Sequence, residues 1–246
     1  MMENTYPYKY KYEAHLHTAE TSLCGKVPAA EQVKRYHDAG YAGICVTDHL
    51  HGGYLDELDH HHWTDWDLFI ERWLTGYRLA KRAGDALGLD VILGAELRFP
   101  QNERDYLVYG IDEAWLHNHP YMFSTSAEEF FSQCGNDVLV IHAHPYRYND
   151  EVLYGSVHGL EIVNCNPRHD SRNELALQLA MKHPGLIRTV GSDCHRKNDA
   201  CLSAVLSGHR ITDSFGYRTL MLEGNFSLWC PSGEDIIKRS EESVHV

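Results

Sequence analysis

The sequence predicts an α/β fold in which successive βα units enclose a largely parallel sheet. Three observations predict it. Short β-rich runs alternate with amphipathic helical stretches from end to end, the length of 246 residues suits one barrel-type domain, and hydrophobic residues at 43% suffice to fill one sizeable core. Strands are expected over 12–17, 43–47, 90–95, 106–109, 138–142, 159–164, 187–191 and 219–223, and helices over 28–39, 65–87, 125–134 and 171–182. Pro28 stands where a first-turn proline is tolerated, Gly40 and Gly88 follow helical patterns as C-terminal breakers, and Ser126 precedes Glu128 and Glu129 as an N-cap. The longest irregular insertion covers 49–62, and the tail after Gly233 reads as a short helix followed by disorder. A single domain spanning 1–246 accounts for the whole pattern.

Composition narrows the partners. A formal net charge of −13 repels a phosphate backbone, so nucleic acid is not the expected substrate. The N-terminal stretch is polar and tyrosine-rich, and no apolar run approaches the length of a membrane span. Seven cysteines are scattered, odd in number and without a C-x-x-C pair, which argues against a disulfide framework or a zinc knuckle and for a reducing, cytoplasmic setting. The 18 histidines need another explanation, and metal ligation at strand ends is the commonest one.

The motifs carry that explanation. His15 and His17 are two apart on an expected strand, so both rings leave one face toward one ion. Thr47-Asp48-His49, Gly94-Ala95-Glu96, His142-Ala143-His144-Pro145 and Gly191-Ser192-Asp193-Cys194-His195 each close a later strand. Barrel-like α/β folds place their sites on this C-terminal rim, where rigid strands hold the ligands. Carboxylate together with imidazole suits Zn, Mn or Fe better than Ca or Mg. In Asp48-His49 an extended backbone sends the two side chains to opposite faces, so Asp48 is expected to orient a ring instead of sharing an ion with His49.

The order H-x-H, T-D-H, G-x-E, A-H-P and G-S-D-x-H resembles the PHP family, the polymerase and histidinol phosphatase domains, over residues 13–195. The resemblance implies a distorted seven-stranded (βα) barrel, TIM-like, with two or three divalent ions at the strand C-termini and phosphoester hydrolysis as the activity. It also implies His15, His17, Glu96 and Asp193 as one metal site, Glu96 bridging to a second ion held by His144, and His49 with His195 on a third. Three positions depart from the family pattern. Asp105 stands where members often carry a histidine, so the second ion gains an oxygen ligand. Cys24 precedes Gly25 where an acidic or histidine ligand is usual, with Glu20 as the competing candidate. His142 shares a face with His144, and the resemblance favours His144 as the ligand.

Arg147, Arg168 and Arg196 follow rim motifs and are the expected phosphate clamp beside Asp48. Ser192 has no identifiable base and there is no G-x-S-x-G, so metal-activated water is expected in place of a serine nucleophile. A small phosphorylated substrate of the histidinol phosphate kind leads. A protein tyrosine phosphatase of the same family, a nuclease and a non-catalytic metal-bound regulatory domain are the alternatives. The run Asp59-His60-His61-His62 reads as a solvated loop, and the aromatic stretch Trp63, Trp66, Phe69, Trp73 as core packing.

Overall fold

The computed structural model describes residues 8–53, 65–100 and 103–243. The run Asp59 to His62, Trp63 and the end of the tail lie outside the described residues. In chain order the elements are β1 (Tyr10–Leu16), α1 (Ala29–Asp38), β2 (Gly43–Val46), β3 (His49–Leu50), α2 (Trp66–Trp73), α3 (Thr75–Leu87), β4 (Asp90–Leu93), β5 (Ala95–Arg98), β6 (Asp105–Tyr109) and α4 (Glu113–Asn118). They continue as α5 (Ala127–Cys134), β7 (Leu139–His142), β8 (Gly159–Asn164), α6 (Asn173–Lys182), β9 (Ile187–Gly191), β10 (Ala204–Ser207), α7 (Ser214–Glu223), β11 (Phe226–Trp229) and α8 (Glu234–Glu242).

The described strands form two sheets, ordered β11-β10-β1-β2-β4 and β3-β5-β6-β7-β8-β9, and not the expected closed seven-stranded barrel. The sheets are nevertheless continuous at the rim. β2 passes into β3 across Thr47 and Asp48, and β4 passes into β5 across Gly94, with Gly94 N–H donating to Val46 and Glu96 N–H to Asp48. On the other side His17 N–H donates to the Cys194 carbonyl at 3.0 Å, and a parallel bridge joins Leu16 to Cys194. The ends of β1, β2, β4, β7 and β9 and the starts of β3 and β5 are thereby gathered at one place.

Parallel pairing holds for β1/β2, β2/β4, β7/β8 and β8/β9, whereas β5/β6 and β6/β7 are antiparallel. The short connection from Arg98 to Asp105 explains the first reversal, because a parallel crossover needs a dozen residues or more. The two strands after residue 200 escape the sequence pattern, and the expected strand at 219–223 is helical instead. Asp213 accepts from Gly216 N–H at the start of α7, and Gly224 ends it at φ 71. The apolar residues Leu220, Met221 and Leu222 are not β-branched, so the caps decide. The expected helix at 65–87 is divided at Leu74. Thr21 causes the break, its hydroxyl donating to the Trp73 carbonyl and accepting from Gly76 N–H, both at 2.9 Å.

One apolar core lies between the strands, with Tyr12, Cys45, Ile92, Leu107 and Ile141 packed together. A second packs α1 and α3 on β1, β2 and β4 through Val33, Tyr36, Ile44 and Ala80. A larger one, which includes Trp66, Phe69 and Trp73 as expected, fills the space under the six-stranded sheet. Cys165 and Cys230 are joined as a disulfide, a pairing that the scattered cysteines did not predict because the two lie 65 residues apart. Among the described residues no helix is long and apolar enough to cross a membrane.

Candidate metal centre

Four fully buried groups converge where β1 and β9 end and β5 begins. The His15 Nε2 atom lies 3.3 Å from Glu96 Oε1 and 3.5 Å from Asp193 Oδ1, and His17 Nε2 lies 3.3 Å from both Glu96 Oε2 and Asp193 Oδ1. His144 Nε2 reaches Glu96 Oε1 at 3.3 Å, and His49 Nδ1 reaches Glu96 Oε2 at 2.8 Å. Four overlapping donor groups result: His17, Cys24, His49 and His195; His15, His17 and Glu96; His15, His144 and Asp193; and His49, Glu96 and Asp105.

The imidazoles are oriented from behind. Ser22 Oγ donates its one proton to Asp48 Oδ1, so it can only accept from His17 Nδ1, which lies 3.3 Å away. His15 Nδ1 lies 3.0 Å from Glu161 Oε1, and Glu161 is held below the usual carboxylate range because His15 outweighs its burial. Both rings therefore carry their Nδ1 protons outward and present Nε2 to the centre. This outer support is the arrangement that fixes the tautomer of metal-ligating histidine.

Charge at the centre favours a cation. Burial opposes ionisation of Glu96 and Asp193, yet His49 and His15 hold Glu96 well below its ordinary value, and His15 and Arg147 do the same for Asp193. Burial likewise opposes protonation of His15, but Glu161, Glu96 and Asp193 hold it well above its usual value. His17 is pushed well below by burial and by the charges of His195 and His49. His195 rises to about 10, because the hydrogen bond to Asp193 and the neighbouring Cys24 outweigh burial. Burial would raise the Cys24 thiol, but His195 and His49 bring it below its ordinary value. Buried carboxylates ringed by imidazole nitrogens and a thiolate-prone cysteine fit divalent transition metals.

Backbone geometry at two of these residues is unusual. His144 and Asp193 have φ of 29° and 50°, in the left-handed region that costs about 1–3 kcal/mol for a non-glycine residue. Each turn is tied down. His144 N–H donates to Glu161 Oε2 at 2.8 Å, and the Asp193 carbonyl accepts from Asn166 Nδ2 at 2.8 Å. Gly191 gives the space this needs, since a Cβ there would overlap Glu161 Oε1 and press on the Cβ of His15. Gly76 likewise lets α3 approach Thr18 and Asp48.

The remaining sequence candidates divide. Asp48 stands outside the donor groups and accepts from Thr18 N–H, Thr18 Oγ1 and Ser22 Oγ, each at 2.7 Å, so it braces the loop after β1. Asp105 joins a donor group, with its carboxylate also paired to Arg98. Cys24 joins His17, His49 and His195, whereas Glu20 accepts from Ala29 N–H and caps α1. His142 is buried against Tyr106 at 4.8 Å between ring centroids, deeper than His144. The Arg147 side chain is buried, its Nη2 2.7 Å from both Asp193 Oδ2 and Asn164 Oδ1. Arg168 pairs with Asp199, which also accepts from the N–H groups of His195 and Arg196. The Arg196 residue is exposed.

Sequence reasoning missed Glu161, Ser22, Asn164 and Asn166. A signal existed for the first: Glu161 is a lone acid in the middle of the apolar run Leu160 to Val163, an expensive placement without a partner. Ser22 and the asparagines sit on loops or strand ends, where such residues are ordinary.

The family model for the PHP domain matches residues 13–209. No curated protein matches the chain in sequence. Among solved structures the chain resembles a two-domain protein from Bacteroides vulgatus containing a predicted PHP-like metal-dependent phosphoesterase. The TM-score is 0.67 at 15% identity, covering 99% of this chain and 72% of that one. It also resembles an amidohydrolase from Chromobacterium violaceum with bound sulfate and no metal, at a TM-score of 0.52 and 15% identity, covering 91% of this chain and 99% of the other. At these identities the likeness concerns the fold.

Proposed function

Since the chain belongs to the PHP domain family, we propose that it is a metal-dependent phosphoesterase that hydrolyses a small phosphate monoester, using two or three divalent ions of Zn, Mn or Fe. The observation that carries this reading is the convergence of His15, His17, Glu96 and Asp193, with every nitrogen-to-oxygen separation within 3.5 Å. When bound, such ions bring the pKa of water toward neutrality and stabilise charge on the phosphoryl oxygens.

The chain's own residues then have distinct tasks. Glu96 and Asp193 supply the buried negative charge, and His15, His17, His144, His49 and His195 surround it. Glu161 and Ser22 hold imidazoles in the donating tautomer. Arg147 neutralises the far oxygen of Asp193 and leaves Oδ1 facing the histidines. Arg196, exposed beside His195, is our candidate for meeting the phosphate of an incoming substrate. Ser192 is fully buried, its hydroxyl 3.3 Å from the His15 carbonyl and 3.1 Å from the Tyr36 hydroxyl, which supports water over serine as the nucleophile.

A net charge of −13 favours a compact dianion over an extended polyanion. The test compares kcat/KM on small phosphomonoesters, phosphotyrosine peptides and single-stranded oligonucleotides with metal-reconstituted protein, with and without chelator. Chelator-sensitive turnover that is fastest on the monoesters is expected. Faster oligonucleotide cleavage would overturn the reading, and full metal occupancy without turnover of any of the three would favour a regulatory domain.

A further inference from the structure

Arg98 and Asp105 are register partners across the β5/β6 ladder, and the guanidinium takes both carboxylate oxygens, Nε to Oδ1 at 2.7 Å and Nη2 to Oδ2 at 2.8 Å. The Asp105 side chain is 5% exposed, while that of Arg98 is 36% exposed. The same Asp105 Oδ2 also looks toward the metal centre, 3.8 Å from His144 Nε2, which in turn is 3.3 Å from Glu96 Oε1. The Asp105 carboxylate, which joins His49 and Glu96 in a donor group, therefore faces His144 through the same oxygen that accepts from an arginine.

The two arginines at the centre differ in a way that matters. Arg147 contacts Oδ2 of Asp193 and leaves Oδ1 to the imidazoles, whereas Arg98 spans both oxygens of Asp105. A guanidinium is always charged and cannot shed its proton to make way for a second cation, and this one engages both oxygens of Asp105. An ion bounded by Glu96, His144 and Asp105 has to share its carboxylate with a fixed positive charge. Ions at the other donor groups meet no such competitor for both oxygens.

We propose that Arg98 is a built-in counter-ion that competes with a divalent cation for Asp105, so that the position bounded by Glu96, His144 and Asp105 binds its ion more weakly than the groups centred on His15 with His17 and on Cys24 with His195. The proposal rests on the metal-centre reading and adds an order of affinities to it. The chain thereby keeps one exchangeable ion beside more firmly held ones.

Stepwise Mn²⁺ binding, followed by calorimetry and by elemental analysis after dialysis, tests this on the full chain. Arg98→Gln is expected to tighten the weakest class of sites by about tenfold or more. Arg98→Lys, which keeps a positive partner for the buried carboxylate but loses the two-pronged contact, is expected to tighten it less and guards against misfolding of the first variant. Asp105→Asn is expected to lose that class and keep the stronger ones. An unchanged or weakened class in Arg98→Gln, or its survival in Asp105→Asn, would overturn the role of Arg98 alone. A wild-type chain that binds no Mn²⁺ would remove the metal centre itself, and the inference with it.

Discussion

The Nε2 atoms of His15 and His17 face one another at 3.2 Å, with the opposite nitrogen of each ring turned toward Glu161 or Ser22. Two lone pairs cannot share that space without a positive charge between or beside them, so the pair is stable only around a proton or a cation. Asp193 Oδ1 lies within 3.5 Å of both nitrogens. Asp193→Asn keeps the side-chain shape and removes the charge. It is expected to lower metal content by at least one ion and kcat/KM on the order of 10²-fold or more, the scale on which a preorganised charge acts in a closed site. Full metal content in this variant would detach Asp193 from the ligands.

Glu161 acts on two candidate ligands at once, through the His15 ring and the His144 N–H. Glu161→Gln keeps the volume but puts a weaker acceptor behind His15 and loosens a turn held at positive φ. Metal affinity is expected to fall about 10–100-fold, the usual range for an outer partner of a ligating histidine, while the far-ultraviolet circular dichroism stays that of the wild type. Equal affinity in the two proteins would make Glu161 a packing residue only.

The parts of the fold and site that were legible in the sequence are those with a period or a motif. His15 and His17 share a strand face by alternation, and the strand-closing clusters after β2, β4 and β9 end where the rim is. The reversal of β6 was not legible, because period-two alternation is the same in parallel and antiparallel strands. Nor were β10, which pairs with β1 only after the chain has returned to its start, and β11, which pairs with β10. Parity alone sets Asp48 apart from His49, but its partners Thr18 and Ser22 are loop residues that no period marks.

Cys24 brings a thiol to His17, His49 and His195 where its neighbours favour the thiolate. A thiolate is a soft ligand and discriminates for zinc against manganese. Cys24→Ser is expected to lower zinc retention at this group with little change in manganese retention, measured by elemental analysis after competitive loading. Cys24→Asp should reverse the preference. If Cys24→Ser keeps zinc as the wild type does, the thiol is not a ligand.

The histidines also set a pH dependence. In the metal-free protein His195 is raised to about 10, and His15 and His49 stand well above their ordinary values. A raised folded-state pKa contributes stability that is fully present below the unfolded value, about 6.5, and is lost as pH rises through the folded one. The metal-free chain should therefore lose stability between about pH 7 and 10, as read by denaturant midpoints. Ions require neutral imidazole, so loading at pH 8 should release protons, seen as a calorimetric heat that changes with the ionisation enthalpy of the buffer. A buffer-independent heat would mean that His15, His49 and His195 carry no protons to displace.

The three arginines make the last prediction, because their surroundings separate roles that the sequence treats alike. The Arg147 side chain is 7% exposed and paired with Asp193, so its removal acts on the ligand before it acts on substrate. Arg147→Ala is expected to lower metal affinity and kcat together, since it leaves a buried carboxylate oxygen without its partner. Arg168 shares Asp199 with the backbone of His195 and Arg196, so Arg168→Ala should disturb both KM and the placement of His195. Arg196 is exposed, and its backbone N–H, donated to Asp199, survives truncation of the side chain. Arg196→Ala is accordingly expected to raise KM for phosphomonoesters about tenfold, the loss of one charge-assisted contact made in ground and transition states alike, with metal content and kcat unchanged. The split is the point of the measurement. A fall in kcat or in bound metal for Arg196→Ala would place that guanidinium in the metal centre, and an unchanged KM would return it to the surface.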